Sequence, residues 1–537
     1  MAADSGATRP AAEGSAAGRR IARNTAIFSI ATGLSRIAGL VREIVASSYF
    51  GTSGAFSAFT IAFQFPNLVR SLFADAALSA AFVPVFTELL EQNRKRDAVR
   101  LASTLFLLIL IVLGAITALF ILAAGTIMPL FTGDEFTDEL DQLTVGLSRV
   151  LFPIVLILGL NGLVVGILNA YDHFSIPAIA PLVWNVVIIV LLVVLRPFFD
   201  GQDEMYAYAI GVLVATGVQF AMCLPVLRRL GFHFALAFDL RDPRVKRVLL
   251  LMAPVTIGLG IINFDVFINS ALGSLVSEQA PRAIDAAFRV YMLPQGVFSV
   301  AIATVLFPTL SRFAARSDLD GLRATMAVGL RQISLLLIPS AAFTLALATP
   351  ITRLVYQRGE FGAESTQLVA EALFWFAFSL PFSGMNLLLT RTFFSLQRTW
   401  LPTAVAVGSL VVNLAVSLAL YKPLGIAGLV IGTVASNFAT TILLAWLLRP
   451  LLGGSIEGRS TVIHMAAMTV AAALLGLVAY LVWALVDDVL GRSLVAQVIS
   501  VGLAAAAGVA VYAWSVLWMG MAEARQVRDL LLRRLRA

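Results

Sequence analysis

Cysteine and histidine are scarce in this 537-residue sequence. The single cysteine, Cys223, cannot form an internal disulfide and cannot supply a cysteine cluster for a metal. The three histidines, His173, His233 and His464, lie far apart, and none lies beside a pair of acids. The sequence therefore gives no indication of a histidine-based catalytic centre or a cysteine-based metal centre.

Charge is also scarce, and apolar residues take its place. Charged residues make up 13% of the chain and hydrophobic residues 59%. A soluble domain is about 25% charged and about 45–50% apolar. The apolar residues fall in many runs of roughly 20, each long enough to cross a bilayer. The longest polar connection has about 20 residues, which is short for the catalytic loop of a membrane glycosyltransferase. We therefore predict a polytopic membrane protein that is not an enzyme.

The apolar runs predict an all-α membrane protein with fourteen transmembrane helices. Their approximate limits are 25–49, 57–88, 100–130, 144–170, 177–196, 205–228, 248–275, 283–311, 325–350, 366–394, 401–420, 425–448, 462–486 and 494–520. Because the number is even, both termini should lie on one side of the membrane.

The distribution of basic residues predicts which side that is. The connections and tails on the side of the termini carry 25 Lys and Arg residues, and the opposite side carries 6. One loop on the opposite side, "TGDEFTDELDQ", has acids and no basic residue. By the positive-inside rule both termini are cytoplasmic. The same rule accounts for the net charge of +7, so no nucleic-acid partner is expected.

An internal repeat divides the chain. Asn161 is followed by Pro177, and Asn386 by Pro402, with the same spacing and an offset of 225 between the pairs. Related pairs, Pro66 with Pro294 and Pro84 with Pro308, have offsets of 228 and 224. We expect two six-helix bundles with a transport site between them. The expected segments are a disordered cytoplasmic tail (1–23), an N-terminal bundle (24–230), a C-terminal bundle (231–450), helices 13 and 14 (451–520) and a basic tail (521–537).

Arginines inside the predicted spans point to an anionic substrate. Charged side chains within membrane spans usually face a bundle interior or a water-filled cavity. Arginine stays protonated and binds phosphate through a planar fork of donors. We therefore expect four residues to contact an anionic substrate, namely Arg36, Arg42, Arg70 and Arg289. For Arg42 beside Glu43, and for Arg289 four residues after Asp285, a structural ion pair stays open as the alternative.

Acids within the spans could couple transport to an ion. The candidates for coupling or structural roles are Glu43, Asp75, Asp265 and Asp285. Asp265 lies in "IINFDVFINS" between two asparagines, and such oxygen ligands suit Na⁺, while a membrane carboxylate can also carry H⁺. A structural role for Asp265, as a hydrogen-bond partner of a neighbouring helix, is an equally good interpretation. No other cofactor is expected.

Helix-breaking residues mark candidate hinges. Pro66 and Pro294 each remove a backbone hydrogen bond inside a span. Gly39, between Arg36 and Arg42, permits a bend or a close helix contact.

The same stretches resemble those of a known family. "LSRIAGLVREIVASSYFG", "AFQFPNLVRSLFADAALSAAFVPVF", "FRVYMLPQGVFSVAIATVLFPTLSRF" and "LVYQRGEF" are similar to signature stretches of the MurJ/MviN lipid II flippases. These belong to the multidrug/oligosaccharidyl-lipid/polysaccharide exporter superfamily. The resemblance covers spans 1 to 12.

The resemblance implies a function in peptidoglycan biosynthesis. Family members move lipid II, the undecaprenyl-diphosphate-linked disaccharide pentapeptide, to the outer leaflet of the bacterial cytoplasmic membrane by alternating access. The essential arginines of the family fall on Arg36, Arg42, Arg70 and Arg289, and spans 13 and 14 are expected to form a groove for the prenyl tail. The implied partners are lipid II, membrane lipids and the cell-wall synthesis machinery.

Two departures from the family pattern leave alternatives open. Ser57 stands where the family usually has an Asp, and "ADAA" replaces the common "AEGA", so that Asp75 keeps the acid. The substrate could therefore be another undecaprenyl-diphosphate-linked glycan, or ion coupling could differ. A small-molecule or drug antiporter of the same superfamily is the third alternative.

Overall fold

A computed structural model describes residues 10–73, 76–235, 237–454, 458–521, 523–525 and 528–529. The regular structure within these ranges is helical. The α-helices are α1 (Pro10–Phe50), α2 (Gly54–Phe73), α3 (Ala76–Glu91), α4 (Lys95–Ile127), α5 (Asp138–Leu151), α6 (Pro153–Ala170), α7 (Ser175–Leu195), α8 (Met205–Arg229), α9 (Pro243–Gly273), α10 (Ala280–Pro294), α11 (Val300–Ala315), α12 (Leu319–Ala346), α13 (Ala348–Tyr356), α14 (Ala363–Ser395), α15 (Trp400–Leu451), α16 (Gly458–Leu490) and α17 (Leu494–Trp518).

These helices confirm the all-α fold. Within the described residues, ten helical stretches are long and apolar enough to cross a membrane. Every one of the fourteen predicted spans overlaps a helix, and the total of fourteen crossings stays a prediction. α1 begins at Pro10, inside the segment 1–23 that we expected to be a tail, whereas residues 1–9 lie outside the described part.

One helix covers two predicted spans. α15 runs through both 401–420 and 425–448, and its backbone leaves the helical region at Gly425, where φ is 56° and ψ is −130°. A positive φ of this kind is readily adopted by glycine and disfavoured for other residues. The break therefore lies at the boundary that the hydropathy pattern predicted.

Helix limits in the two halves follow the offset of the sequence repeat. The helical stretch Asp138–Ala170 and the stretch Ala363–Ser395 differ by 225 at both ends. Ser175 and Trp400, which begin α7 and α15, differ by the same number. The repeated Asn and Pro residues thus occupy equivalent places in two similar series of helices.

The helices pack as two units. The first contains residues 1–49, 58–131 and 137–267, and the second contains residues 50–57, 132–136 and 268–537. Many large apolar side chains remain exposed, for example Leu122 (81%) in the first unit and Val489 (82%) in the second. Single apolar residues on a surface are ordinary, but such broad exposure fits helices that face lipid.

The connection between α8 and α9 is hydrogen-bonded to α4. The hydroxyl of Ser103 accepts a hydrogen bond from Ala235 N (2.9 Å), and Thr104 donates to Ala237 O (3.3 Å). At the end of this connection Asp242 pairs with Arg244 (2.6 Å). The hydrogen bond from Arg244 holds the pKa of Asp242 below its ordinary value, so the carboxylate keeps its charge at neutral pH.

The last two long helices belong to the second unit, where they pack on α12. Tyr512 of α17 donates a hydrogen bond to Leu335 O (3.0 Å). Arg331 of α12 pairs with Glu523 (2.5 Å), and Arg353 of α13 pairs with Asp487 of α16 (3.3 Å). Predicted spans 13 and 14 are therefore anchored by buried polar contacts as well as by apolar packing.

Candidate substrate site

Arg42 and Glu43 are neighbours near the end of α1, and both side chains are largely buried. Their closest charged atoms are 3.7 Å apart, with side-chain exposures of 11% and 4%. The Arg42 guanidinium lies 5.0 Å from the centre of the Trp184 ring on α7, a distance at which an aromatic face attracts a cation. The Nε of Arg42 is buried without a hydrogen-bond partner in the described part of the chain. The pair predicted as an alternative is present, but it is long and leaves a buried donor of Arg42 unused.

Arg36 lies six residues before Arg42 on α1, and its side chain is exposed. Among the described residues it makes no hydrogen bond or ion pair. A long cation without a fixed partner is available to an external anion.

Gly39 lies between these arginines, and α1 is helical on both sides of it. A Cβ at this position would be 3.7 Å from Oδ1 of Asn185, which is ordinary contact. Asn185 in turn donates a hydrogen bond to Ser35 O (3.4 Å). α7 therefore contacts the backbone of α1 close to Gly39. The role of Gly39 as a hinge stays a prediction.

Arg70 lies on α2, where a network of amides fixes it. Its Nε and Nη2 donate to Oδ1 of Asn67, at 3.2 and 2.8 Å. Asn67 donates onward to Oδ1 of Asn263 on α9 (3.2 Å). Asn67 and Asn263 are neutral amides, so these hydrogen bonds orient the arginine and contribute no charge. We did not identify Asn67 from sequence, although its place three residues before Arg70 could have suggested it.

Arg289 lies on α10 in the second unit and shares an acid with a second arginine. Oδ2 of Asp285 is 2.9 Å from Nε of Arg289 and 3.0 Å from Nη1 of Arg282. The Arg289 side chain is 38% exposed, whereas Arg282 is 1% exposed. Asp285 therefore pairs with both arginines, and more than a third of the Arg289 side chain remains exposed.

Arg282 is one of the six basic residues assigned to the loops on the side opposite the termini, one residue before the predicted span 283–311. That assignment is wrong, because Arg282 is buried inside α10. Its guanidinium lies 3.8 Å from the centre of the Phe56 ring. Its backbone N–H donates to the hydroxyl of Ser57 (3.3 Å). Ser57, the residue that departs from the family pattern, is thus part of the packing around α10.

The amides around Asp265 have partners of their own. Asn263 belongs to the Arg70 network of the first unit. Asn269 belongs to the second unit, where it accepts from Nδ2 of Asn413 (3.2 Å) and donates to Oγ1 of Thr433 (3.5 Å). Among the described side chains, no group of three or more His, Cys, Asp or Glu could hold a metal. A sodium site at Asp265 would therefore need backbone or amide oxygens, and it stays a prediction.

The remaining predicted residues are a proline pair and an acid. Pro66 lies inside α2, which continues through it as an α-helix. Pro294 ends α10 and is followed by a short π-helix, Gln295–Ser299, before α11 begins. Such π-helices often mark functional sites. Asp75 lies outside the described residues.

Comparison with known proteins decides the family. The family model described as "Lipid II flippase MurJ" matches residues 46–495.

The chain belongs to the MurJ family. The MurJ of Burkholderia cenocepacia, named a lipid II flippase, is 31% identical over 401 residues, which are 74% of this chain and 77% of that protein. This membership and the apolar helices make the chain an integral inner-membrane protein. The family name describes a flippase, which is a class of transporter.

Solved structures agree on the fold. A MurJ flippase in an inward closed conformation has a TM-score of 0.75 and 22% identity, covering 94% of this chain and 99% of its own. An inward-facing MATE family transporter of the MOP superfamily has a TM-score of 0.66 and 16% identity, covering 80% of this chain and 95% of its own. The MurJ fold thus extends over nearly the whole chain, beyond the spans 1 to 12 that the signature stretches cover.

Proposed function

We propose that this chain is a lipid II flippase, which moves the lipid-linked peptidoglycan precursor from the inner to the outer leaflet of the cytoplasmic membrane by alternating access. Membership of the MurJ family, over residues 46–495, is the observation that carries this proposal. Both termini are proposed to be cytoplasmic, in keeping with the distribution of basic residues.

In this proposal four arginines contact the diphosphate, and they differ in their hydrogen-bond partners and in their exposure. Arg36 has no partner among the described residues, and Arg42 has a buried Nε without one. Arg70 is oriented by the neutral side chain of Asn67, and Arg289 is partly exposed beside Asp285. Guanidinium groups suit this task because their planar fork binds phosphate oxygens two at a time. The long prenyl tail would stay among apolar side chains such as those exposed on α16 and α17.

A depletion experiment tests the function. The lipid II flippase of a host bacterium is depleted, and this chain is expressed in its place. We expect growth and outer-leaflet lipid II to be restored. A well-expressed, membrane-inserted chain that restores neither would overturn the proposal, and rescue of a different lipid-linked glycan would redirect it.

Variants of the arginines test the diphosphate contact. We expect Arg36→Ala and Arg70→Ala to reduce flipping by about tenfold to a hundredfold, since a hydrogen bond to a charged group contributes about 1.5–3 kcal/mol. Arg316→Ala is the matched control, because Arg316 is also an exposed arginine but follows α11 at the end of a predicted span. Full activity of both site variants at normal membrane levels would contradict the role of these arginines.

A further inference from the structure

A pocket of about 560 Å³ lies in the second unit, formed by the end of α12, the start of α13, the first turns of α14 and the last third of α16. The mechanism proposed above does not use it. The side chains that matter for its chemistry are Thr349, Gln367, Glu371, Phe374, Tyr480 and Trp483. The pocket thus combines one carboxylate, three aromatic rings and two neutral polar groups.

Glu371 is the only acidic side chain among those six. It lies on α14 with Gln367 one turn before it and Phe374 one turn after it, so the three share one helix face. Among the described residues Glu371 makes no hydrogen bond or ion pair. Arg353, which lies near the pocket because its guanidinium is 6.0 Å from the Trp483 ring, is already paired with Asp487. The pocket therefore holds a carboxylate whose charge is not matched by a described basic residue.

The position of Glu371 along α14 places it near the lipid headgroups. It is five residues inside the predicted span 366–394, or about 8 Å along the helix axis. Tyr480 and Trp483 are six and three residues from the end of the predicted span 462–486, and their rings are 5.8 Å apart. Tyr and Trp favour this level of a membrane because one part of each ring is apolar and the other polar.

An acidic side chain within a membrane span usually pairs with a cationic group. Aromatic faces attract ammonium groups as well, and several rings around one carboxylate form a common arrangement for binding amines. Glu371 is exposed and lines the pocket, and the positive-inside rule assigns this end of α14 to the side of the membrane opposite the termini. We infer that this pocket binds the ammonium headgroup of an ethanolamine phospholipid, with Glu371 contacting the ammonium and Phe374, Tyr480 and Trp483 surrounding it.

Lipid titration of the purified full-length protein tests this inference. Dioleoyl-phosphatidylethanolamine is added to the protein in detergent, and bound lipid is counted by native mass spectrometry. The same lipid with an N-acetylated amine has no positive charge, and dioleoyl-phosphatidylglycerol has no amine. We expect the ethanolamine lipid to bind at least about tenfold more tightly than the acetylated form, the factor expected for one hydrogen bond to a charged group.

The matched variants are two glutamates of one helix. Glu371→Gln keeps the shape of the side chain and should remove the preference for the charged amine. Glu364→Gln changes an exposed glutamate in the first turn of α14 that does not line the pocket, and it should keep the preference. Phe374→Leu should weaken the preference partly. Equal binding of the charged and acetylated lipids by the wild-type protein, or an unchanged preference in Glu371→Gln, would overturn the inference.

These measurements are independent of flipping. A chain that fails to restore lipid II transport can still bind the ethanolamine lipid, and a competent flippase can still lack the preference. The two proposals can therefore fail separately.

Discussion

At the scale of single residues, the buried arginines differ in what neutralises them. Arg282 is packed on Phe56 and paired with Asp285 at 3.0 Å, and its Nε, like that of Arg42, is buried without a hydrogen bond among the described residues. Arg42 has a longer contact with Glu43 and a buried donor without a described partner. Sequence could show that arginines lie near spans, but it could not show which of them neighbouring helices cover. That difference depends on tertiary packing, which places Phe56 against Arg282.

Arg282 is expected to matter for stability. In Arg282→Ala the Phe56 ring loses its cation and a buried cavity forms, while Asp285 keeps Arg289 as its only described arginine partner. Breaking a buried ion pair typically costs about 3–5 kcal/mol, so thermal unfolding followed by circular dichroism should show a clear decrease in Tm. Arg282→Lys keeps the charge but loses the planar stack on the ring, and its Tm should be intermediate. An unchanged Tm in Arg282→Ala would show that this contact contributes nothing to stability.

At the scale of elements, α15 shows how sequence specified a sharp turn between two helices. Pro423 and Gly425 lie where the hydropathy pattern placed the end of one span and the start of the next. The close packing that follows was not evident from the sequence. A Cβ at Gly432 would lie 2.1 Å from the hydroxyl oxygen of Ser417, and one at Gly428 would lie 2.2 Å from Leu420 O. Both glycines therefore allow the second part of α15 to approach the first.

Substitution of one of these glycines tests that packing. Gly432→Ala must displace Ser417 and Asn413, both buried, and overpacking of this kind typically costs about 1–3 kcal/mol. Gly408→Ala is the matched control, because Gly408 lies in the same helix and a Cβ there has nothing within 4 Å. We expect Gly432→Ala to lower the Tm, and Gly408→Ala to leave it unchanged or raise it through better helix propensity. The packing argument fails if the two variants have the same Tm.

At the scale of the whole molecule, the large features were predictable and the polar details were not. Apolar runs follow from membrane thickness, and a repeat with a constant offset predicts two similar series of helices. The helix limits at Asp138–Ala170 and Ala363–Ser395 agree with that offset. The contacts of Asn67 with Asn263, and of Asn269 with Asn413, join residues that are 196 and 144 positions apart. Nothing in local sequence specifies such pairs, because they depend on which helix faces meet. Glu371 lies inside the predicted span 366–394, but the sequence alone does not show that side chains of α13 and α16 surround it.

The orientation of the molecule in the membrane is the largest feature that charge alone predicts. The connection before α4 is basic and the loop before α5 is acidic, so the positive-inside rule assigns them to opposite sides. Cys223 is buried, so the native chain should give little background with a membrane-impermeant maleimide, and Cys223→Ser removes what remains. In that background Glu135→Cys should be labelled in intact spheroplasts, and Gln92→Cys only after permeabilisation. Both positions are exposed, so a difference in labelling would report the side of the membrane and not burial. The reverse pattern would invert the proposed orientation and place the pocket beside Glu371 at the cytoplasmic leaflet.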